Sequence, residues 1–342
     1  VNTPKVTVLM PVHNGERYIR EAIDSILAQS FTGYELLIIN DGSTDQSVEI
    51  IESYNEPRIR LIHNYSNLGL VPTLNWGLHL ARGEFVARMD CDDISHPERL
   101  DMQVSYMDIH EDVAVCGSWI KAFGSQHFVK KYPLTDDRIR AHMLFENALA
   151  HPSVMMRRNV FISERLFYDV AYTRAEDYEL WTRVPASYKL ANIGRILLYY
   201  RMHRQQVSAE FISDQSDVTC AIRKKQLNGL DMDLSEESSG LHMKISQKKP
   251  ELSISFLDSA AVWLMALQEK NVHKESYDCK ALSEMTGMYW WETCFHATTL
   301  GFCVWKRYFK SPLNRQARVS LTYLVLFWVK CLLKKRNTSF AA

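Results

Sequence analysis

Glu84-Phe85-Val86-Ala87-Arg88-Met89-Asp90-Cys91-Asp92-Asp93 reads as an apolar strand running into a turn that carries three carboxylates within four residues. Like charges that close repel, so the turn needs full hydration, a basic partner or a divalent cation. Oxygen ligands at short spacing suit Mg²⁺ or Mn²⁺ better than zinc. A hard cation there would hold the phosphates of a nucleotide. The plain alternative is a solvated acidic turn.

Outward from that strand, the amino-terminal half alternates strands and helices. Lys5 to Met10 is β-rich and is broken by Pro11-Val12-His13-Asn14-Gly15. Glu16 to Gln29 carries Ile19, Ala22, Ile23, Ile26 and Leu27 at helical spacing. Glu35 to Ile39 is nearly all apolar, as in a strand buried on both faces. Asn40-Asp41-Gly42-Ser43-Thr44-Asp45 is a turn opening a helix through Ser53. Ile59 to Ile62, Phe85 to Met89 and Val113 to Cys116 read as strands; Leu70 to Ala81 and Pro97 to Ile109 read as helices.

This pattern predicts an α/β fold, a mostly parallel Rossmann-like sheet flanked by helices. Ligands of such sheets sit beyond the carboxyl ends of the strands. Pro11 to Glu16, Asp41 to Asp45 and Asp90 to Asp93 all fall there and describe a pocket rim. Asp41 either accepts from a base or ribose group or caps the next helix, a role worth about 0.5–2 kcal/mol. The chain has neither GxGxxG nor GxxxxGK[ST], which counts against NAD-dependent hydride transfer and phosphate-loop ATP hydrolysis.

The 342 residues allow two domains, and 46% hydrophobic with 23% charged residues is an ordinary globular mixture. Formal net charge is zero, so no global field points to nucleic acid. Seven Cys lack CxxC spacing and are expected to be free thiols in a reducing, cytoplasmic compartment. Val6 to Met10 is too short for a signal segment.

The charge is unevenly spread: Gly301 to Ala342 holds nine Lys or Arg and no Asp or Glu, together with Trp305, Tyr308, Phe309, Tyr323, Phe327 and Trp328. Glu236-Glu237-Ser238-Ser239-Gly240 is expected to be a loop. Ile254 to Gln268, Tyr289 to Phe309 and Arg315 to Leu333 are expected to be helices of a small bundle. Tyr323 to Val329 is an apolar run of seven, short of the roughly 20 residues a membrane span needs. Aromatic and basic residues together suit a helix lying on an anionic membrane. An ordinary core helix or an oligomer interface is the alternative.

Thr173-Arg174-Ala175-Glu176-Asp177-Tyr178-Glu179-Leu180-Trp181 places two acids at a helix start, where the dipole favours an anion. They are either a proton acceptor with its neighbour or first-turn capping acids. His151, in His151-Pro152-Ser153-Val154-Met155, is either a pocket residue or a structural histidine.

Four segments together resemble the inverting glycosyltransferases of family 2 with the GT-A fold, over about residues 5–205. They are Val8-Leu9-Met10-Pro11-Val12-His13-Asn14-Gly15-Glu16, Asn40-Asp41-Gly42-Ser43-Thr44-Asp45, Asn67-Leu68-Gly69 with Leu74-Asn75 and Gly77, and Ala87-Arg88-Met89-Asp90-Cys91-Asp92-Asp93. The resemblance implies a nucleotide-diphosphate sugar donor, expected to be a UDP-sugar. Pro11, Val12 and Glu16 would line the base and ribose, Asp41 would hold uracil or ribose, and Asn75 would belong to the same donor-binding set. Asp90 would lie near the ribose and donor sugar, while Asp92 would carry Mn²⁺ or Mg²⁺ on the diphosphate. Asp177 becomes the general base and Glu176 an orienting or acceptor-binding neighbour. Arg201, His203 and Arg204, in Tyr200 to Ser208, would meet phosphate oxygens, with His203 as a further metal ligand.

The resemblance divides the chain into a donor half, 1–118, an acceptor half, 119–210, and a C-terminal helical region, 211–342. It implies transfer of one hexosyl or N-acetylhexosaminyl unit, since the QxxRW run of processive members is missing. The acceptor would be a glycan or lipid-linked saccharide of a bacterial surface polymer such as lipopolysaccharide or capsule. A peripheral place on the inner membrane face and a homo-oligomer are the accompanying expectations. Two competing readings remain. A nucleotidyltransferase would need a Gly- and Lys/Arg-rich first loop, where Pro11 to Arg17 supplies only Gly15 and Arg17. A non-catalytic glycan-binding module on the same fold would have no use for Asp41, Asp90, Asp92 and Asp177 together.

Overall fold

The computed structural model describes residues 3–203 and 212–335. The chain divides into two compact units: residues up to 136 with 148–218, and 137–147 with the residues from 219 on.

The first unit is built on nine strands: β1 (Val6–Val12), β2 (Tyr34–Asn40), β3 (Ile59–His63), β4 (Phe85–Arg88), β5 (Ile94–Ser95), β6 (Val113–Gly124), β7 (Phe128–Lys130), β8 (Met155–Arg157) and β9 (Lys189–Met202). Their order is β3-β2-β1-β4-β8-β6-β9-β5, with β7 on β6. The pairs among β1, β2, β3 and β4 are parallel, as is β6 with β9. β8 is antiparallel to both β4 and β6, and β5 and β7 are antiparallel to their partners. The sheet is therefore mixed. The antiparallel strands are two or three residues long, too short to show a hydrophobic period. The boundary placed at 118 falls inside β6, so one sheet carries both expected halves.

Among the described residues six helices accompany the sheet: α1 (Ile19–Leu27), α2 (Ser47–Glu52), α3 (Leu70–Leu80), α4 (Arg99–Ile109), α6 (Arg158–Ser163) and α7 (Glu176–Arg183); α5 (Asp136–Met143) leads into the other unit. The apolar stripe of α1, Ile19, Ala22, Ile23 and Ile26, is completely buried in the core with Val8, Met10, Leu36 and Ile38. α3 lies close on β1: a Cβ on Gly77 would come within 2.3 Å of Leu9 Cδ1.

The second unit takes up α8 (Ile212–Gly229) from residue 219 and continues with α9 (Glu236–Ser246), α10 (Ile254–Lys274), α11 (Cys279–His296), α12 (Phe302–Lys310) and α13 (Leu321–Leu333). Its core gathers Phe145, Leu227, Leu264, Tyr289, Trp290 and Phe327. Three expectations are corrected here. Glu236 to Gly240 opens α9 instead of forming a loop, because Ser235 Oγ accepts from Ser238 N at 3.3 Å and two Glu follow in the first turn. The helix expected over Tyr289 to Phe309 breaks between His296 and Phe302, where Gly301 takes φ +86°. α13 begins at Leu321, capped by Ser320. No helix among the described residues is long and apolar enough to cross a membrane.

Candidate active site

The turns after β1, β2 and β4 converge with the end of β9 and the start of α7 on a cleft of about 510 Å³. Pro11, Val12, Asp41, Asp90, Asp92, Glu176, Asp177 and His203 line it, and so do His13, Tyr18, Arg88, His151 and Arg174. Glu16, Asn75 and Arg201 do not line it. Glu16 braces the rim: its Oε2 accepts from Gln46 N at 3.0 Å, and its N–H donates to Asp45 Oδ2 at 2.9 Å. Asn75 is bonded at both ends to the backbone of Tyr168, at 2.8 and 2.9 Å. Arg204 lies outside the described residues.

Asp41 caps no helix of its own turn. Its buried carboxylate accepts from Asn64 Nδ2 at 2.7 Å and from Leu68 N and Gly69 N at 2.9 Å, which fixes the loop before α3. Asp45 serves the start of α2 instead, accepting from Ser47 N at 3.0 Å. Between them Gly42 sits at φ +70°, and a Cβ there would lie 2.6 Å from Asn67 N. That contact joins the second and third of the motifs picked out in the sequence.

In the acidic turn, carboxylate oxygens of Asp90, Asp92 and Asp93 lie within 4.8 Å of one another. Asp90 pairs with the buried guanidinium of Arg88. Asp92 Oδ2 is 2.9 Å from His203 Nε2. Asp93 is fully buried; its Oδ1 accepts from Arg201 N at 2.8 Å, and its Oδ2 has no hydrogen-bond partner. Burial, and then the charge of Asp90, raises the Asp92 carboxyl above its ordinary range. Burial, Asp90 and Asp92 together raise Asp93 much further. Arg201 holds the turn from behind, donating Nε to Asp92 O and Nη2 to Glu21 Oε2, both at 2.7 Å, with its guanidinium over Tyr18 and Phe123.

Across the chain from this turn in sequence, the acid pair opens α7. Arg174 enters it at φ +80°, a strained conformation for a side chain of that size, and its N–H donates to Glu176 Oε2 at 2.6 Å. Burial first, then the charge of Asp177, pushes Glu176 up to about 7. Asp177 Oδ1 accepts from Tyr178 N at 2.7 Å. His151 lies at the cleft with its Nε2 2.9 Å from the Tyr168 hydroxyl, and burial, then the charge of Arg88, holds its pKa well below the ordinary histidine range. Arg88, Tyr18 and Arg174 were missed as site residues. Arg88 alone had a signal, a charge set in an otherwise apolar strand.

Residues 7–167 match the family described as glycosyl transferase family 2. An uncharacterized glycosyltransferase of Haemophilus influenzae is 34% identical over 239 residues, covering 66% of this chain and 74% of the relative. The O-antigen biosynthesis glycosyltransferase WbnJ of Escherichia coli is 29% identical over 227 residues, covering 64% of this chain and 88% of WbnJ. The chain belongs to glycosyl transferase family 2, and its activity is that of a glycosyltransferase. Two solved structures share its GT-A-like fold. Staphylococcus aureus TarS 1-349, in complex with UDP-GlcNAc, has a TM-score of 0.57 at 18% identity and covers 91% of this chain and 90% of its own. The mannosyltransferase PcManGT from Pyrobaculum calidifontis, in complex with GDP-Man and Mn²⁺, has a TM-score of 0.54 at 14% identity, covering 87% and 88%.

Proposed function

We propose that the protein moves one sugar, with inversion, from a nucleotide-diphosphate sugar to a hydroxyl of a glycan or lipid-linked acceptor. The observation that carries this is the gathering of Asp41, Asp90, Asp92, Glu176 and Asp177 in a single cleft. A uridine donor is favoured by the UDP-GlcNAc complex of TarS, while GDP-Man on PcManGT marks the rival base. Pro11, Val12 and Asp41 take the base and ribose, and Asp90 lies toward the sugar. Residues 1–118 supply the donor side and 119–210 the acceptor side.

The acidic turn fits a divalent cation. Its carboxylate oxygens are close enough to share one ion, and the buried Asp93 Oδ2 lacks a partner. Asp92 and His203, with Asp90 or Asp93 beside them, would hold Mn²⁺ or Mg²⁺. When bound, the ion supplies charge stabilisation to the departing diphosphate. Asp177 takes the proton of the acceptor hydroxyl as that oxygen bonds to the anomeric carbon and the diphosphate leaves. Glu176 holds the Arg174 backbone and so sets the entry to α7.

The second unit is proposed to rest on an anionic membrane, on its cytoplasmic side. α13 buries Phe327 and Cys331 but exposes Leu321, Tyr323, Val325, Trp328, Leu332 and Leu333. Around them residues 301–335 hold only basic charges, which complements anionic headgroups. Co-sedimentation with phosphatidylglycerol vesicles but not phosphatidylcholine vesicles is expected. Dimerisation through α13 without vesicle binding would refute it.

The catalytic reading is tested by transfer from UDP- and GDP-sugars with and without Mn²⁺. Asp177→Asn should keep UDP binding while cutting transfer by about 10²–10⁴-fold. Near-normal transfer removes Asp177 from the role of base, and UDP binding with no turnover of any donor supports a binding module.

A further inference from the structure

We propose that His151 holds the attacking oxygen, whether of an acceptor hydroxyl or of water, through its ring Nδ1–H, and so presents that oxygen to Asp177. This rests on the reading of the cleft given above, with Asp177 as base. His151 opens a single 3₁₀ turn, His151–Ser153, ahead of β8. Its ring centroid lies 5.3 Å from that of Tyr168 and 6.2 Å, edge-on, from that of Trp181. Trp181 stands four residues after Asp177, on the same face of α7. His151 is therefore packed against the helix whose first turn carries the base, and His151, Glu176 and Asp177 all line the cleft.

The two ring nitrogens have different surroundings. Nε2 turns inward, 2.9 Å from the hydroxyl of the buried Tyr168. Nδ1 makes no hydrogen bond among the described residues, and it is not sealed from solvent. The ring keeps 9% of its surface exposed where it lines the cleft. The Tyr168 hydroxyl has only the Met156 sulfur, at 3.9 Å, as another acceptor. Nitrogen is the better acceptor, so the O–H donates to Nε2 and the ring proton sits on Nδ1. Burial, then the charge of Arg88, favours the neutral ring. The ring thus offers one N–H and leaves the role of base to Asp177. In the step, the oxygen gives its proton to Asp177 and one lone pair to the anomeric carbon. The bond from that carbon to the diphosphate breaks, and its electrons leave with the diphosphate. The oxygen's other lone pair accepts from Nδ1–H, and His151 keeps its proton. Two fixed partners set the direction of attack, on which rate depends strongly. The competing role is internal: His151 would serve only to satisfy the Tyr168 hydroxyl.

The two roles call for opposite replacements, because an Asn amide reaches about as far as Nδ1 and a Gln amide about as far as Nε2. Nucleotide release from UDP-glucose, UDP-N-acetylglucosamine and GDP-mannose is measured in Mn²⁺, in water alone and with octyl glycosides as acceptors. His151→Phe, which fills the ring's space without a nitrogen, should lower kcat by about 10–100-fold, with nucleotide affinity by calorimetry changed by about threefold or less. His151→Asn should recover most of that loss. His151→Gln, which can still meet Tyr168, should recover little. Nitrogen NMR of the wild type should find the His151 proton on Nδ1, a test that stands even if no variant folds. A proton on Nε2 overturns the proposal, as does turnover by His151→Gln equal to or above that of His151→Asn, undiminished turnover by His151→Phe, or a loss of nucleotide affinity as large as the loss of kcat. Absence of both nucleotide binding and turnover with every donor overturns the reading of the cleft beneath it instead.

Discussion

Replacing Glu176 by Gln is expected to stabilise the sheet unit at pH 8 and to leave it unchanged at pH 4.5. The carboxyl is 5% exposed, and burial together with Asp177 lifts it from an ordinary 4.5 to about 7. The folded state therefore holds a proton between pH 4.5 and 7 that the unfolded chain has already released. Below that window both states are protonated and the residue costs nothing. As pH rises through it the folded state loses ground, and above it the full cost of a buried charge remains. At about 1.4 kcal/mol for each pH unit of the gap, that cost is about 3 kcal/mol. Gln carries no charge and keeps an oxygen for the Arg174 N–H. The assay is urea unfolding at the two pH values, read by pulse-labelled hydrogen exchange in β1 and β2 so that the second unit does not contribute. An equal gain at both pH values would show that the benefit is not electrostatic. A loss at pH 8 would show that the carboxylate is held by partners that outweigh its desolvation.

Asp41→Ala removes one acceptor from three N–H donors and should cost about 2–4 kcal/mol by urea unfolding, with UDP affinity falling at least about tenfold by calorimetry. Gly42→Ala must hold φ +70° and bring a methyl against Asn67 N; a loss of about 1–3 kcal/mol is expected in the same unfolding assay. Asn75→Ala should lower stability by about 1–3 kcal/mol by freeing the Tyr168 backbone, visible as faster exchange at that amide. UDP should bind more weakly in a chelator than in Mn²⁺, and Asp92→Ala should erase the difference; equal affinity in both solutions for the wild type would refute a metal at the acidic turn.

β2 could be read in advance because both its faces are buried, and the half-buried β3 because its short run is mostly apolar; the fourteen-residue β9, part buried and part exposed, was not read. β5 and β8 are set by pairing with distant partners, and β7 is three residues folded back on the end of β6, so none of them leaves a clear local trace. The carboxylates were legible because charge at the end of an apolar strand is unusual wherever it occurs. Their supports were not: Arg201 reaches Asp93 across 108 positions in the chain, and Asn75 reaches Tyr168 across 93. Asn75 and Glu16 belong to the recognised motifs, but their side chains fasten backbone that shapes the rim. A motif position therefore need not touch the ligand. The basic excess of the last segment could be counted in the sequence. That α13 turns most of its aromatic and aliphatic residues outward required the packing of Phe327 and Cys331 to be seen.

The charges on the cleft wall also constrain what enters. Asp41, Asp90, Asp92, Glu176 and Asp177 line it against Arg17, Arg88 and Arg174. Arg88 is already paired with Asp90, and the Asp41 carboxylate already accepts from the loop before α3. A diphosphate approaching Asp92 would meet a carboxylate that burial and Asp90 already disfavour in its charged form. The acidic turn itself thus has two routes to accept such an anion: its own protonation or a cation upon it. Protonation would make nucleotide affinity rise steeply toward acid pH in the absence of metal. A cation would make it nearly flat near neutral pH in Mn²⁺ and weak without it. The orphaned oxygen of Asp93 favours the second route, because a proton satisfies one oxygen of three carboxylates, whereas a shared ion draws on several at once.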